Sequence, residues 1–175
     1  MQIEPKDIYK TVLDTRNLEI SMFWQRSNYF LVLSSGLALG FFELEETWFS
    51  LFLSIIGLIS SYFWFRVCLG GKFWQSRWEH RLGIIEKKYI REGIIPKDPK
   101  FILFSADKDT IKDDVQKGLG KNPHKTLHKW IDKYVMEKPS VSFEMIRLSI
   151  LFVFGWGILI VYSVYALLFR CPATG

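Results

Sequence analysis

The residues of this chain that could carry out chemistry are few, and their spacing defines no active site. His124 and His128 lie four positions apart and could share one helix face, but a zinc site needs a third protein ligand that this pair lacks. His80 and Glu86 are poor candidates for a catalytic acid and base. Because a Gly-rich phosphate loop, a nucleophile elbow and an HExxH motif are also missing, we predict no catalytic residue, metal, cofactor or enzymatic activity.

Polar residues border the first two apolar segments of the chain. Arg26 and Asn28 lie at the start of the first segment, and Gln75, Arg77 and Glu79 follow the second. An antiparallel helical hairpin would bring both sets to one level of the membrane, where an unpaired charge is costly. We therefore expect a membrane-entrance polar network of these five residues, with Glu79 paired to Arg26 or Arg77. The alternative is that each charge extends separately to lipid headgroups.

Basic residues that could contact phosphate groups occur in the same region. They are Arg77, Arg81, Lys87 and Lys88. A nucleotide, a nucleic acid or an anionic lipid headgroup could each supply the phosphate. Basic residues also collect on the cytoplasmic side of any membrane protein, so the pattern does not choose among these ligands.

Three apolar segments must position these polar residues. The predicted membrane spans are residues 27–42, 47–66 and 148–169. A spanning helix needs about 20 residues, so the first span is expected to extend through Phe23 and Trp24 while Arg26 reaches the interface. Buried helices of a soluble protein are the alternative, but three of them in 175 residues would leave too little polar surface.

The distribution of Lys and Arg predicts the orientation. Residues 43–46 contain three acidic residues and no basic one, whereas residues 72–147 contain 17 Lys or Arg and 11 Asp or Glu. Basic loops remain in the cytoplasm, so the N-terminus and residues 72–147 are expected there, and the C-terminus is expected outside.

These patterns predict an all-α membrane protein with three transmembrane helices per subunit. A small, mostly helical cytoplasmic domain is expected between the second and third of them. The predicted segments are a cytoplasmic amphipathic arm (1–26), a transmembrane hairpin (27–69), a basic cytoplasmic domain (70–147), the third transmembrane helix (148–169) and an external tail (170–175).

Within the predicted cytoplasmic domain, glycine and proline residues separate several short elements. Gly70 and Gly71 indicate a hinge or kink before an amphipathic helix. Residues 101–104 could form one short strand or a tether, and residues 107–116 are expected to form a polar helix. Asn122 is placed to cap a further helix.

Small residues in the spans indicate faces where helices approach closely. They are Gly36 and Gly40 in the first span, and Ser50, Ser54, Gly57 and Ser61 in the second. Three alternatives remain open: packing within one subunit, packing between subunits, or a pore lined by the face from Ser50 to Ser61. No charged residue or histidine lies in the middle of a span, which argues against an ion pump or a coupled transporter.

Three stretches of this sequence resemble the RipA-like family of small bacterial membrane proteins, which are described as octameric. The first is Arg16-Asn17-Leu18-Glu19-Ile20 with Phe23-Trp24-Gln25-Arg26-Ser27-Asn28-Tyr29-Phe30. The second is Gly70-Gly71-Lys72-Phe73-Trp74-Gln75-Ser76-Arg77-Trp78-Glu79-His80, followed by Glu86, and the third is Ser140-Val141-Ser142. The chain departs from the family pattern at Phe143-Glu144-Met145, where a lysine is expected soon after Ser142.

The resemblance implies a homo-oligomer of the bacterial inner membrane, with an octameric ring as the expected assembly. By analogy, one expectation is a pore-forming or membrane-disrupting effector of an anti-phage system. The other is a scaffold or adaptor that organises a cytoplasmic partner or supports envelope homeostasis. The expected partners are other copies of the chain, membrane lipids and a cytoplasmic protein or nucleotide signal.

Overall fold

The computed structural model describes residues 4–43, 47–98, 101–120, 133–137 and 140–169. Its helices are α1 (Pro5–Glu43), α2 (Thr47–Arg91), α3 (Lys108–Gly120) and α4 (Val141–Phe169), with a single helical turn at 133–136. No strand occurs in these ranges, which confirms the all-helical fold class. Residues 101–106 form a bent connection, so they are a tether and not the short strand that was the alternative.

The helices contribute to two compact units. The polar unit consists of Met1–Glu19 and Phe73–Val141, and the apolar unit consists of Ile20–Lys72 and Ser142–Gly175. Helices α1 and α2 each supply residues to both. In α1 the division between the two units lies after Glu19, and Phe23 belongs to the core of the apolar unit.

The core of the apolar unit joins three helices. Phe23 of α1 packs with Trp64 and Cys68 of α2 and with Met145 and Ile146 of α4. All five side chains are at most 9% exposed, although this helix bundle is small. Most other large apolar side chains of the three helices face outward, as expected for a bundle surrounded by lipid.

Helix α2 continues through Gly70 and Gly71 without a break, so the predicted hinge is wrong. Gly71 instead provides space for Phe23, since a Cβ atom at this position would lie 2.7 Å from Cδ2 of the Phe23 ring. The glycine therefore permits close packing of α1 on α2, which sequence reasoning could not distinguish from conformational freedom.

Helices α2 and α4 are each long and apolar enough to cross a membrane. The uncharged part of α1, residues 27–42, is shorter than the roughly 20 residues that a span requires, and α1 does not meet the same criterion. Length and composition therefore give two candidate spans, and the third span remains a prediction.

The close contact of Gly57 with Trp156 leads to a testable prediction. A Cβ atom at Gly57 would overlap the Trp156 ring, whereas nothing lies within 4 Å of one at Gly36. We expect Gly57→Ala to destabilise the protein by about 1–3 kcal/mol, because overpacking forces a large side chain out of place. Gly36→Ala is the control and should be neutral or stabilising. Thermal unfolding in detergent compares the two, and equal midpoints would contradict the packing described here.

Candidate functional site

Buried serine residues form a regular pattern inside the apolar unit. Ser27 and Ser34 of α1 are seven residues apart, and so are Ser54 and Ser61 of α2. In α4, Ser142, Ser149 and Ser163 follow the same seven-residue spacing, with Trp156 in the remaining position. This spacing keeps one face of each helix turned toward its neighbours, and small side chains let the backbones approach closely. We call these seven serines the serine seam.

The structure separates the predicted packing residues into two groups. Ser50, Ser54, Gly57 and Ser61 are buried within the apolar unit of a single chain. Gly40 also packs internally, because a Cβ atom there would lie 3.3 Å from Leu53. Of the three alternatives, the burial of this face of α2 favours packing within one subunit. Gly36 is different, since it is exposed.

Several seam hydroxyls donate hydrogen bonds to carbonyl groups of their own helix. Ser54 donates to the Leu51 carbonyl over 2.8 Å, and Ser163 donates to the Leu159 carbonyl over 2.9 Å. Ser149 donates to the carbonyl of Ile146 over 2.7 Å. These bonds satisfy the hydroxyl groups without a partner on another helix, so the seam can remain tightly packed in an apolar environment. Sequence reasoning missed Ser27, Ser34 and the three serines of α4, although their seven-residue spacing was visible.

The polar unit contains an ion pair that differs from the predicted one. Glu79 accepts a hydrogen bond from Arg16 over 3.1 Å and another from Gln75 over 3.1 Å. Arg26 contacts the Met22 sulfur 3.8 Å away, within its own helix. Glu79 therefore pairs with Arg16, which lies two helical turns after Tyr9 on α1. This spacing places Arg16 on the same face of α1 as Tyr9, whose ring contacts Tyr89 of α2. The spacing is therefore the sequence signal that could have indicated the pair.

The other members of the predicted membrane-entrance polar network are more exposed. The guanidinium group of Arg77 lies over the Trp74 ring, 5.2 Å from its centroid. Asn28 is exposed on α1. The network as a set of five residues stays a prediction.

Glu86 anchors the tether of residues 101–106 to α2. Its side chain is 1% exposed, and its two oxygens accept hydrogen bonds from the backbone N–H groups of Leu103, Phe104 and Ser105 over 2.9, 2.9 and 2.6 Å. Gly83, one turn earlier, lets the Phe104 carbonyl approach to 3.2 Å from where a Cβ atom would lie. Burial by itself raises the pKa of Glu86, but these hydrogen bonds outweigh it and hold the pKa below its ordinary value.

The charge of Glu86 also acts on the surrounding side chains. The pKa of Tyr9 is raised, first by burial and then by the nearby negative charge of Glu86. The Arg16 guanidinium lies 5.6 Å from the centroid of the Phe104 ring, so the same arginine contacts both Glu79 and the tether. These contacts join α1, α2 and the tether within the polar unit.

A small cleft opens between α2 and the tether. It has a volume of ≈ 210 Å³ and is lined by Glu79, His80, Gly83, Lys87, Phe104 and Ser105, among others. Small-molecule sites usually enclose roughly 300–1,000 Å³, so this cleft is smaller than a nucleotide requires. Its lining also combines a carboxylate with a lysine, which does not favour an anionic ligand.

The basic residues predicted to contact phosphate lie in different surroundings. Lys87 lines the cleft, Lys88 forms an exposed ion pair with Glu92 over 3.7 Å, and Arg81 is exposed. In the ranges that the structure covers, no three His, Cys, Asp or Glu side chains are grouped to hold a metal ion. His124 and His128 lie outside those ranges, as does the predicted cap at Asn122.

An apolar groove lies on the surface of the apolar unit. It has a volume of ≈ 450 Å³ and is lined by Ala38 of α1 together with residues of α4, including Leu151, Phe154, Gly155, Ile158 and Leu159. Nothing lies within 4 Å of where a Cβ atom of Gly155 would be. The groove can therefore accept an apolar chain or the side chains of another helix.

Residues 6–165 match the model of a family described as the octameric membrane protein family (8xMP). No curated protein and no solved structure matches the chain.

The hydrogen bonds of Glu86 lead to a second prediction. Glu86→Gln replaces one accepting oxygen with a donor that faces backbone N–H groups, so we expect faster hydrogen exchange at residues 103–105 and a loss of about 1–3 kcal/mol. Glu92→Gln is the matched control, because Glu92 directly follows the same helix but forms an exposed ion pair with Lys88. Equal exchange rates in both variants would show that Glu86 does not hold the tether.

The lowered pKa of Glu86 also determines in which direction the stability of the folded state changes with pH. A carboxyl group with a lowered pKa in the folded state stabilises the fold above its ordinary pKa and loses this effect as the pH falls through its folded-state value. Protection of the 103–105 amides should therefore persist at neutral pH and disappear in acid, and the Glu86→Gln variant should lack this transition.

Proposed function

This chain belongs to the octameric membrane protein family, and from that premise we propose that it acts as a non-enzymatic scaffold in the bacterial inner membrane. Eight copies would form a ring in the membrane. The polar unit of each copy would contact a cytoplasmic protein, so the ring would present eight equivalent binding surfaces. Membership of the family itself identifies an octameric membrane protein; the scaffold role is our proposal.

The observation that favours a scaffold is the burial of the serine seam. A pore in a ring would need hydroxyl, backbone or charged groups along its lining, or a hydrophobic gate. The hydroxyl-rich face of α2 is inside the single chain, and many of the side chains that face outward are large and apolar, such as Val32, Leu39 and Ile158. A lumen lined by these residues would exclude water, which supports an assembly that does not conduct ions.

Three membrane spans per subunit are part of this proposal. The core around Trp64 contains side chains from α1, α2 and α4, and α2 and α4 have the composition of membrane spans. A third helix packed into that core would be in the membrane as well. Residues 20–43 of α1 would reach about 36 Å at 1.5 Å per residue, enough for a hydrocarbon core of about 30 Å.

The proposed orientation follows from the basic residues between the second and third spans. It keeps the predicted arrangement, with the N-terminus and the polar unit in the cytoplasm and the C-terminus outside. The RipA-like resemblance of residues 70–80 and Glu86 supports the bacterial inner membrane. The anti-phage role and the pore-forming activity remain the competing prediction.

We further propose that the apolar groove is a contact between subunits. A closed ring of identical chains needs two different surfaces on each chain, one for each neighbour. The groove at Gly155 is apolar and has a glycine floor, which allows a neighbouring helix to approach closely. Gly36 on α1 is a second exposed glycine with space around it.

A bulky side chain in the groove tests this contact. Gly155→Leu should leave the single chain folded, because nothing lies within 4 Å of the new Cβ atom, and should shift the native mass below that of an octamer. Gly70→Leu is the matched control, since Gly70 is also an exposed helical glycine with free space but lies outside the groove. Native mass spectrometry from lipid nanodiscs compares them. An intact octamer for Gly155→Leu would place the subunit contact elsewhere.

The scaffold itself is tested by conductance. We expect the purified octamer to give no current in planar bilayers, and strongly expressed protein to leave cell survival and dye-reported membrane potential unchanged. A co-purifying cytoplasmic protein is the expected positive result. Discrete currents from a homogeneous octamer would replace the scaffold proposal with the pore-forming effector.

A further inference from the structure

Two buried hydroxyl groups of the serine seam differ from the others. Ser34 is 1% exposed and Ser61 is 0% exposed. Among the residues that the structure covers, neither Oγ atom has a hydrogen-bond partner. Burying a hydroxyl group without a hydrogen bond costs about 1–3 kcal/mol on the scale of protein mutations, so such groups usually have a partner of some kind.

The packing of α1 on α2 brings these two serines to the same level. The ring of Phe30 stacks on that of Trp64, with centroids 6.1 Å apart and an angle of 9° between the planes. Ser34 lies four residues after Phe30, and Ser61 lies three residues before Trp64. Because the helices are antiparallel, both steps lead one turn in the same direction along the pair, toward the contact of Gly40 with Leu53.

Three other serines of the seam make a hydrogen bond that Ser34 and Ser61 lack. Ser54, Ser149 and Ser163 satisfy their hydroxyl groups with a carbonyl of the preceding turn. Ser34 and Ser61 do not, although each has such a carbonyl in its own helix. Two unpartnered hydroxyl groups at one level of a helix pair provide the polar partners that a buried water molecule requires, which are usually two to four.

We propose that Ser34 and Ser61 bind an ordered water molecule between α1 and α2. The water would accept a hydrogen bond from one hydroxyl and donate to the other, and a carbonyl of the preceding turn would accept its second hydrogen. The site lies inside the apolar unit, between the stacked Phe30–Trp64 pair and the Gly40–Leu53 contact. Helices α1 and α2 are thus joined at this level through solvent, and by direct side-chain contact on either side.

A double-mutant cycle on the assembled octamer in nanodiscs tests the shared water. Each of Ser34→Ala and Ser61→Ala should lower the midpoint of thermal unfolding, and the double variant should lower it no further than the larger single effect. The reason is that removal of either hydroxyl group leaves the water molecule with too few hydrogen-bond partners. The water is then already lost, so removal of the second hydroxyl group breaks no further hydrogen bond. The control pair is Ser54→Ala with Ser163→Ala, whose hydroxyl groups bond to their own helices and whose effects should add.

A density map of the octamer at a resolution that shows water gives a direct answer and does not depend on any variant. We expect a peak within hydrogen-bond distance of both Oγ atoms. Additive effects of Ser34→Ala and Ser61→Ala would overturn the proposal. So would a map in which each hydroxyl bonds to its own helix and no peak lies between them.

Discussion

The indole ring of Trp64 is the contact on which the packing of the apolar unit depends. Trp64 is fully buried, stacks on Phe30 of α1 and meets Phe152 of α4 at a centroid distance of 5.5 Å. One side chain of α2 therefore fixes the positions of both neighbouring helices. In lipid, helices gain little from burying apolar surface, so close packing and shape complementarity must provide the association. Two glycines illustrate this packing, because Gly71 leaves space for the Phe23 ring and Gly57 leaves space for the Trp156 ring.

The polar unit has a different organisation, since backbone N–H groups and a carboxylate replace aromatic packing. Residues 103–106 have no regular secondary structure of their own, and Glu86 satisfies three of the N–H groups that a helix or strand would otherwise satisfy. Arg16 then connects this region with α1 through Glu79 and the Phe104 ring. A short segment without helical structure is thus held in a defined conformation by a few charged side chains.

Local patterns in the sequence predicted the helices well, but they did not predict contacts between residues that are far apart in the sequence. The apolar segments and the start of α3 near Asp107 follow from neighbouring residues, and Asp107 accepts a hydrogen bond from the Thr110 N–H over 2.6 Å as an N-cap should. The role of Gly71 depends on Phe23, which is distant in sequence, so a hinge was an equally good interpretation. The partner of Glu79 was missed for the same reason. Glu86 matched the family motif, but nothing in the sequence indicated that it would bind backbone N–H groups.

The two contacts of the polar unit also differ in when they can form during protein synthesis. Glu86 and its partners are only 17 to 19 residues apart, so the tether can close soon after it leaves the ribosome. Arg16 and Glu79 are separated by 63 residues, and the whole of residues 20–72 lies between them. The N-terminal segment must therefore remain without its partner while the first two apolar segments are made. During this period the exposed N-terminal segment is available to bind the membrane-insertion machinery or a neighbouring nascent chain.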